Sequence, residues 1–228
     1  TMSVIPQCPE SSRQSSSWSS HPSRSYTTRA NQPLIRQEMY PMRMAQPWAG
    51  GMGPYLERRG VKALINLRGR NDDLSWWKNE TGATAARGIA HLDAMLDSRK
   101  LPTRAMLMRL IEAFDSAPRP FVLKCSGGQD RTSFASALYL IRRGGWAAME
   151  EARAQYARFP YLHFPKKHQR WLKPFLDFAA EESNGSSLAS WIGEHYTPDR
   201  LKSWLESRGL ADAHGGIFLV PTRSPFQW

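Results

Sequence analysis

Short apolar runs and longer helical patterns alternate along the central part of the chain. Residues 63–67, 89–95 and 121–123 are brief, mainly apolar runs between turn-rich or polar stretches, which predicts three strands. The stretch after Thr103 repeats its apolar side chains at helical spacing, and this threonine is a typical N-cap. Strands that alternate with helices predict an α/β domain, with a central, mostly parallel sheet flanked by helices. A ligand site in such a domain is expected at the carboxyl end of a central strand.

The rest of the pattern predicts further helices and divides the chain into four parts. Helices are expected at 55–59, within 71–88, from the end of the loop 125–131 to Gly144, and at 147–158. A longer helix is expected at 166–182, with a break or bend at Pro174. A pair of helices is expected at 188–195 and 198–208, followed by a strand at 217–220. Residues 1–31 are rich in Ser, Arg and Pro and are predicted to be a disordered tail. The main domain then spans 32–182, a linker spans 183–187, and a small helical extension spans 188–228.

Positive charge is concentrated around the middle of the chain. The net charge is +11, and residues 99–173 contain 15 of the 31 basic residues but only 5 of the 20 acidic ones. Such a field favours an anionic substrate. A nucleic-acid partner is not expected, because the sequence contains no recognised nucleic-acid-binding motif.

The cysteines and the apolar stretches indicate a cellular setting. The two cysteines are Cys8 and Cys125, and Cys8 lies in the polar tail, so a structural disulfide is not expected. A reducing, cytoplasmic compartment therefore fits the sequence. No apolar stretch approaches membrane-spanning length, and the N-terminus lacks the apolar core of a signal peptide, so no integral membrane segment is expected.

The residues best suited to chemistry lie at 123–132, which read L-K-C-S-G-G-Q-D-R-T. They join a predicted buried strand to an apolar helix, which directs backbone N–H groups and a helix N-terminus at one anion. Two glycines allow a tight curl, and Arg131 closes the loop with a planar fork suited to two phosphate oxygens. A thiol at a helix N-terminus beside cationic groups is readily deprotonated. Cys125 is therefore a candidate nucleophile for phosphorus, and Thr132 a candidate hydrogen-bond donor to its sulfur.

This segment resembles the signature H-C-x5-R-[ST] of the cysteine-dependent phosphatases of the protein tyrosine and dual-specificity type. Residues 60–68 resemble the strand that this family has upstream of the signature, and residues 97–102 resemble a bacterial version of its mobile loop. The similar stretch runs from about residue 44 to residue 178. The resemblance implies that the main domain, 32–182, is a phosphatase-like catalytic domain.

The resemblance also implies roles for individual residues. Cys125 is the nucleophile, Arg131 is the phosphate clamp, and Thr132 supplies the hydroxyl group. The phosphate-binding residues are those that follow the cysteine: Ser126, Gly127, Gly128, Gln129, Asp130 and Arg131. One position departs from the family pattern, because Lys124 replaces the histidine that precedes the cysteine. The support that this histidine gives the loop is therefore lost, and an ammonium favours the thiolate only if it turns toward the sulfur.

Cleavage of a phosphomonoester needs an acid for the leaving oxygen, and three aspartates are candidates. Asp130 lies in a D-R-T ending that resembles myotubularins and bacterial lipid phosphatases, whose loop aspartate is taken as the acid. A carboxyl near a phosphate dianion keeps its proton more readily, but Asp130 also suits orienting Arg131 or capping the helix. Asp97 resembles the aspartate of the family's mobile loop. Strand alternation places the third candidate, Asp93, on a face of the sheet.

These features favour a phosphoric monoester hydrolase with a phosphocysteine intermediate, acting on phosphotyrosine or mixed phosphoprotein substrates. Asp130 and the basic surroundings point to an alternative, a phosphatase of phosphoinositides or small phosphates. A phosphate-recognising binding module without turnover is a further alternative. A redox or sulfur-transfer role for Cys125 would leave Arg131 and Thr132 superfluous.

Other polar residues have simpler interpretations. No metal or cofactor is expected, because His91, His163 and His168 lack metal-ligand spacing. Four cations are expected to form a solvated helix face, with a secondary anion site as the alternative: Lys166, Lys167, Arg170 and Lys173.

Overall fold

The computed structural model describes residues 41–48 and 50–215, and its centre is a four-stranded parallel sheet. The strands are β1 (Met42–Met44), β2 (Ala63–Asn66), β3 (Ala90–Asp93) and β4 (Phe121–Lys124). Their order in the sheet is β1-β4-β2-β3, and each neighbouring pair is parallel. Parallel neighbours need crossover connections, which the helices supply. The predicted α/β class and the three predicted strands are confirmed.

Helices pack on the sheet through two apolar clusters. The helices are α1 (Met52–Arg58), α2 (Ser75–Ala85), α3 (Arg104–Ser116), α4 (Asp130–Gly144), α5 (Met149–Ala154), α6 (Pro174–Glu182), α7 (Leu188–Glu194) and α8 (Pro198–Ser207), with short 3-10 helices at Gly145–Ala148 and Lys167–Gln169. Leu64 and Val122 point into a small cluster with α1. Their strand neighbours Phe121 and Leu123 point the other way, into the main core. Cys125 continues that second face, so its side chain is buried in the main core.

Helix α3 begins and packs as its sequence predicts. The hydroxyl oxygen of Thr103 accepts a hydrogen bond from the backbone N–H of Met106 at 3.2 Å, which confirms the N-cap. Leu107, Leu110 and Phe114 are fully buried on one face of the helix. This helix covers the main core beside β4 and α4.

The described part of the predicted C-terminal extension packs on the same core. Trp191 of α7 and Leu201 of α8 are fully buried in the cluster that also contains Phe134 of α4. The hydroxyl of Tyr196 donates a hydrogen bond to the carbonyl oxygen of Pro102 at 2.6 Å. Residues on both sides of the predicted linker 183–187 therefore share one apolar cluster.

Strand β1 is a correction to the predicted fold, because the sequence predicts no strand before residue 63. Its three residues, Met-Arg-Met, are half-buried and include a charged side chain, so no apolar run marks the strand. β1 pairs with β4, from Met42 opposite Val122 to Met44 opposite Lys124. It therefore lies beside the carboxyl end of β4.

Two predicted helices are shorter than expected. In 147–158, α-helix is limited to Met149–Ala154, preceded by a 3-10 turn. In 166–182, α-helix begins only at Pro174, because proline fits the first turn of a helix but cannot continue one. The four cations before this proline are exposed, but they lie on a 3-10 helix and turns and so do not form an α-helical face.

Several predictions fall outside the described residues. These are the tail at 1–31 with Cys8 and the strand at 217–220. Within the described residues, no helix combines the length and the apolar character needed to cross a bilayer.

Candidate active site

The signature loop, residues 125–131, lies at the carboxyl edge of the sheet. β4 ends at Lys124 immediately before it, and α4 begins at Asp130 within it. Since β4 lies between β1 and β2, residues that follow both of these strands flank the loop. The structure thus places the loop where parallel sheets bind their ligands, as the sequence predicts.

Cys125 is buried at the base of the loop, with 2% of its surface exposed. Its Sγ atom accepts a hydrogen bond from the backbone N–H of Gly128 at 3.2 Å and another from the hydroxyl of Thr132, also at 3.2 Å. Two donors directed at one sulfur fix its position at the base of the loop. The predicted contact between Thr132 and the sulfur is present.

Only one of the two loop glycines is required by close packing. Gly128 has a φ of +66°, and a Cβ atom there would lie 2.8 Å from the backbone nitrogen of Ala45. At Gly127 a Cβ atom would meet nothing within 4 Å. The backbone N–H of Gln46 also donates to the carbonyl oxygen of Ser126 at 3.0 Å. The segment after β1 therefore holds the loop closed from one side.

Arg131 extends from the first turn of α4 and is partly exposed. Its Nη2 donates to the hydroxyl of Ser126 at 3.0 Å, which ties the two ends of the loop together. Among the described residues no carboxylate lies within ion-pair distance of this guanidinium. Its remaining donors therefore suit an oxyanion held in the loop.

Arg43, which the sequence does not single out, supports the loop from β1. Its guanidinium donates to the carbonyl oxygens of Gly128 and Gln155, the side-chain oxygen of Gln155 and the hydroxyl of Ser133. It also lies 4.0 Å from the ring centroid of Tyr161. Burial lowers the pKa of Arg43 to about 10, so it remains a cation at neutral pH. Its donors are used to hold protein groups.

Lys124 is fully buried and does not turn toward the sulfur. Its ammonium forms an ion pair with Glu80 and donates to the side-chain oxygen of Gln46 at 2.8 Å. The other oxygen of Glu80 lies 2.9 Å from the Nε2 atom of His91. Burial lowers the pKa of Lys124 to about 8, against the attraction of Glu80. This network lies beside the loop at the position where the family pattern has a histidine.

A second guanidinium, that of Arg68, flanks the loop from the end of β2. It lies 3.5 Å from the ring centroid of Trp76, and its Nη1 donates to the side-chain oxygen of Gln46 at 3.0 Å. Burial, with a smaller contribution from Arg131, lowers the pKa of Arg68 to about 10. The sequence offers one signal for it, a basic residue directly after a buried strand.

Asp130 lies in the first turn of α4, where its carboxyl is largely enclosed. One oxygen accepts a hydrogen bond from the side-chain amide of Gln169 at 3.0 Å, and the other lies 3.5 Å from the Nε2 atom of His163. Burial raises the pKa of Asp130, while His163 and Arg131 act in the opposite direction. The carboxyl does not cap α4, which has no side-chain hydrogen bond at its N-cap.

The other two aspartates have different surroundings. The carboxyl of Asp97 accepts a hydrogen bond from the backbone N–H of Arg99 at 2.8 Å, within its own loop. The next residue, Ser98, accepts from the Gln169 amide that also binds Asp130. The structure thus brings the loop of Asp97 and the carboxyl of Asp130 to one glutamine. Asp93 instead accepts from the amide of Asn66 and the indole of Trp77.

Two glutamines that the sequence does not single out connect the residues of the site. Gln46 joins Lys124, Arg68 and the backbone of the loop. Gln169 joins Asp130 to Ser98, the residue after Asp97. Neither glutamine belongs to a motif, so no local signal marks them. The three histidines considered as metal ligands lie apart from one another: His91 beside Glu80, His163 beside Asp130, and His168 beside the carbonyl of His214.

Comparison with known proteins finds similar solved structures. No protein-family model matches the chain, and no curated protein matches it. TpbA of P. aeruginosa is 19% identical over 67% of this chain and 85% of TpbA, with a TM-score of 0.48. The core catalytic domain of the PP-IP phosphatase SIW14 from S. cerevisiae, solved with citrate, is 15% identical over 75% of this chain and 89% of that domain, with a TM-score of 0.44. PTPMT1 is 20% identical over 64% and 96%, with a TM-score of 0.45.

The resemblance to the cysteine-dependent phosphatases rests on residues of this chain. The cysteine, the arginine and the hydroxyl of the signature meet in one loop between a parallel strand and a helix. In this signature, and in the layered α/β fold that places it, the chain resembles the cysteine-dependent phosphatases.

Proposed function

We propose that this protein is a phosphoric monoester hydrolase that works through a phosphocysteine intermediate. The observation that carries the proposal is the arrangement around Cys125: its sulfur receives hydrogen bonds from Gly128 and Thr132. At the other end of the same loop, Arg131 has donors that no carboxylate of the described residues takes up. A nucleophile and an oxyanion clamp that share one loop suit transfer of a phosphoryl group.

In the first step the thiolate of Cys125 attacks phosphorus in line with the leaving oxygen. The S–P bond forms while the P–O bond breaks, and Arg131 with the loop stabilises the equatorial oxygens. Asp130 supplies the proton for the leaving oxygen, since burial raises its pKa and keeps more of it in the acid form. The first product is then a neutral alcohol or phenol.

In the second step a water molecule attacks phosphorus, and the P–S bond breaks. The hydrogen bond from Thr132 to Sγ stabilises the departing thiolate. The Asp130 carboxylate, now deprotonated, takes a proton from the attacking water. Phosphate leaves, and both the thiolate and the carboxyl return to their starting states.

Two substrate classes remain in the proposal. Phosphotyrosine or mixed phosphoprotein substrates are the first, on the resemblance of the signature. A phosphoinositide or small phosphate is the second, and a specific observation favours it: the guanidinium of Arg68 beside the signature loop, in addition to Arg131. A single protein phosphate needs one clamp, whereas a substrate with more than one phosphate can use both.

The test is a substrate panel with wild-type protein beside Cys125→Ser. Phosphotyrosine peptide, phosphoserine peptide and phosphoinositide are compared by release of inorganic phosphate. We expect wild-type turnover on at least one class and no turnover by Cys125→Ser, which should still bind vanadate.

The matched control is Cys8→Ser, which changes the chain's other cysteine and should leave turnover unchanged. Turnover retained by Cys125→Ser would overturn the proposed mechanism. Binding of phosphate esters by wild-type protein without any turnover would instead assign the chain as a binding module.

A further inference from the structure

We infer that Arg68 forms a second anion subsite beside the signature loop and binds a second phosphate group of the substrate. This inference rests on the proposed function, because it assumes that the first phosphate occupies the loop at Cys125 and Arg131. The ligand chemistry it specifies is a phosphomonoester that carries another phosphate close to the one removed.

The backbone places Arg68 next to the start of the loop. In the pairing of β2 with β4, Asn66 lies opposite Lys124. The backbone N–H of Leu67 then donates to the carbonyl oxygen of Lys124 at 2.8 Å, which continues the pairing by one residue. Arg68 comes directly after Leu67, and Cys125 comes directly after Lys124, so the two residues leave the sheet side by side. Consistent with this placement, the charges of Arg131 and Cys125 both act on Arg68.

The guanidinium of Arg68 is held in place before any ligand binds. Its central carbon lies over the ring of Trp76, 3.5 Å from the centroid, and its Nη1 donates to the side-chain oxygen of Gln46. Gln46 is itself fixed, because its side-chain oxygen also accepts from Lys124 and its backbone N–H donates to Ser126. A stacked arginine in a fixed orientation loses little further freedom when it binds an anion.

The positive charge of Arg68 is not balanced by a paired carboxylate among the described residues. Within the described residues it forms no ion pair with a carboxylate, and the nearby Glu80 is occupied by Lys124 and His91. One of its guanidinium nitrogens donates to the protein, to Gln46, which leaves most of its N–H groups without a described acceptor. A half-buried cation that also faces the like charge of Arg131 is stabilised most by an anion that both can share.

Arg43 shows what a purely structural arginine looks like in this site. It is buried to a similar degree and also lacks a carboxylate partner among the described residues. Its guanidinium, however, reaches four protein acceptors, among them Ser133 at 2.7 Å. Arg68 has one such acceptor, which is the difference expected between an arginine that holds the fold and one that receives a ligand.

The experiment compares substrates with one and two phosphates. Soluble inositol monophosphate and an inositol bisphosphate with adjacent phosphates form one arm, and phosphatidylinositol mono- and bisphosphate in phosphatidylcholine vesicles form the other. The readout is the ratio of kcat/KM for bisphosphate over monophosphate in each arm. We expect Arg68→Gln to lower this ratio about tenfold, as for loss of a hydrogen bond to a charged group. Arg68→Lys, which keeps the charge but not the fork, should lower it less.

The matched control is Arg70→Gln, two residues along the same segment. Arg70 is exposed and paired with Asp72, so its replacement should leave the ratio unchanged. A lowered ratio in both arms supports the shared chemistry, and a lowered ratio in one arm supports it and identifies the source as lipid headgroup or soluble phosphate. An unchanged ratio in Arg68→Gln, including equal losses on both substrates, would overturn the inference.

A binding measurement distinguishes failure of the proposed catalytic function from failure of the second subsite. If wild-type protein releases no phosphate from any substrate, binding of the soluble bisphosphate and monophosphate to Cys125→Ser is measured by calorimetry. Tighter binding of the bisphosphate that is lost in Cys125→Ser/Arg68→Gln would support the second subsite without catalysis. Equal binding of the two ligands by Cys125→Ser would overturn the subsite itself.

Discussion

At the scale of single residues, the proposed mechanism depends on which carboxyl donates a proton to the leaving oxygen. Asp130 is enclosed by Gln169 and His163, and burial raises the pKa of its carboxyl. Burial also lowers the pKa of His163, which weakens the opposing effect of this imidazole on the carboxyl. Asp97 is instead bonded to the backbone of its own loop. The enclosure of Asp130 and the raised pKa of its carboxyl favour this residue as the proposed proton donor to the leaving oxygen.

Asp130→Asn should therefore reduce turnover according to the leaving group. For an alkyl phosphate, whose oxygen needs a proton, we expect kcat/KM to fall about a hundredfold or more. For an aryl phosphate with a good leaving group the loss should be much smaller, because that oxygen departs with little help. Steady-state kinetics with one substrate of each kind measures the difference.

The pH dependence gives an independent test of the same residue. As the pH rises through the raised pKa of Asp130, the acid form is lost and the wild-type rate should fall. This basic limb should be absent in Asp130→Asn. Asp97→Asn is the control and should keep both the limb and the alkyl phosphate rate. If Asp97→Asn shows the leaving-group dependence instead, the acid lies on the 97–102 loop and Asp130 only orients Arg131.

At the scale of elements, a buried ion pair joins helix α2 to strand β4 beside the loop. Glu80 of α2 and Lys124 of β4 are both fully buried, and Gln46, beyond β1, binds Lys124. His91 of β3 completes the network through Glu80. One polar cluster thus connects residues of two strands, one helix and the segment after β1, and it supports the loop where the family pattern has a histidine.

Lys124→Met should destabilise the fold strongly, because it leaves the carboxylate of Glu80 buried without its main partner. Loss of one partner of a buried pair costs about 3–5 kcal/mol. Denaturant unfolding followed by circular dichroism measures the change in the free energy of unfolding. The double variant Lys124→Met/Glu80→Met should recover much of the loss, since it removes both charges.

The control for this prediction is Lys62→Met, which replaces an exposed lysine close to β2. An exposed lysine typically contributes no more than about 0.5 kcal/mol. The idea fails if Lys124→Met costs no more than Lys62→Met, or if the double variant is less stable than Lys124→Met alone.

The parts of the site that the sequence predicts are local in the chain. Cys125 and Thr132 are seven residues apart, and the strand and helix that position them follow the usual periodicities. The contacts of Gln46 with Lys124 and of Arg43 with Ser133 span 78 and 90 residues, so no local pattern contains them. β1 was missed for a related reason, because it is a short edge strand whose middle residue is an arginine.

At the scale of the whole molecule, the helices after residue 187 complete the core that supports the site. Trp191 is fully buried, and its ring centroid lies 5.5 Å from that of Phe178 and 5.6 Å from that of Tyr196. Phe134 of α4, the helix that carries Arg131, packs against Phe175 at 5.0 Å in the same aromatic group. The helices that the sequence assigns to an extension are therefore coupled by packing to the helix of the signature.

Trp191→Ala tests whether this coupling makes one cooperative unit. Removing a fully buried tryptophan costs about 3–5 kcal/mol, through lost burial and the cavity left behind. Because the aromatic group spans α4, α6 and α7, we expect a single unfolding transition that moves to lower denaturant as a whole. Far-UV circular dichroism and vanadate binding should report the same shifted midpoint. Trp48→Ala, at a side chain that is 80% exposed, should leave the midpoint almost unchanged. Two separate transitions, of which only one moves and vanadate binding follows the other, would show that the C-terminal helices form an independent unit.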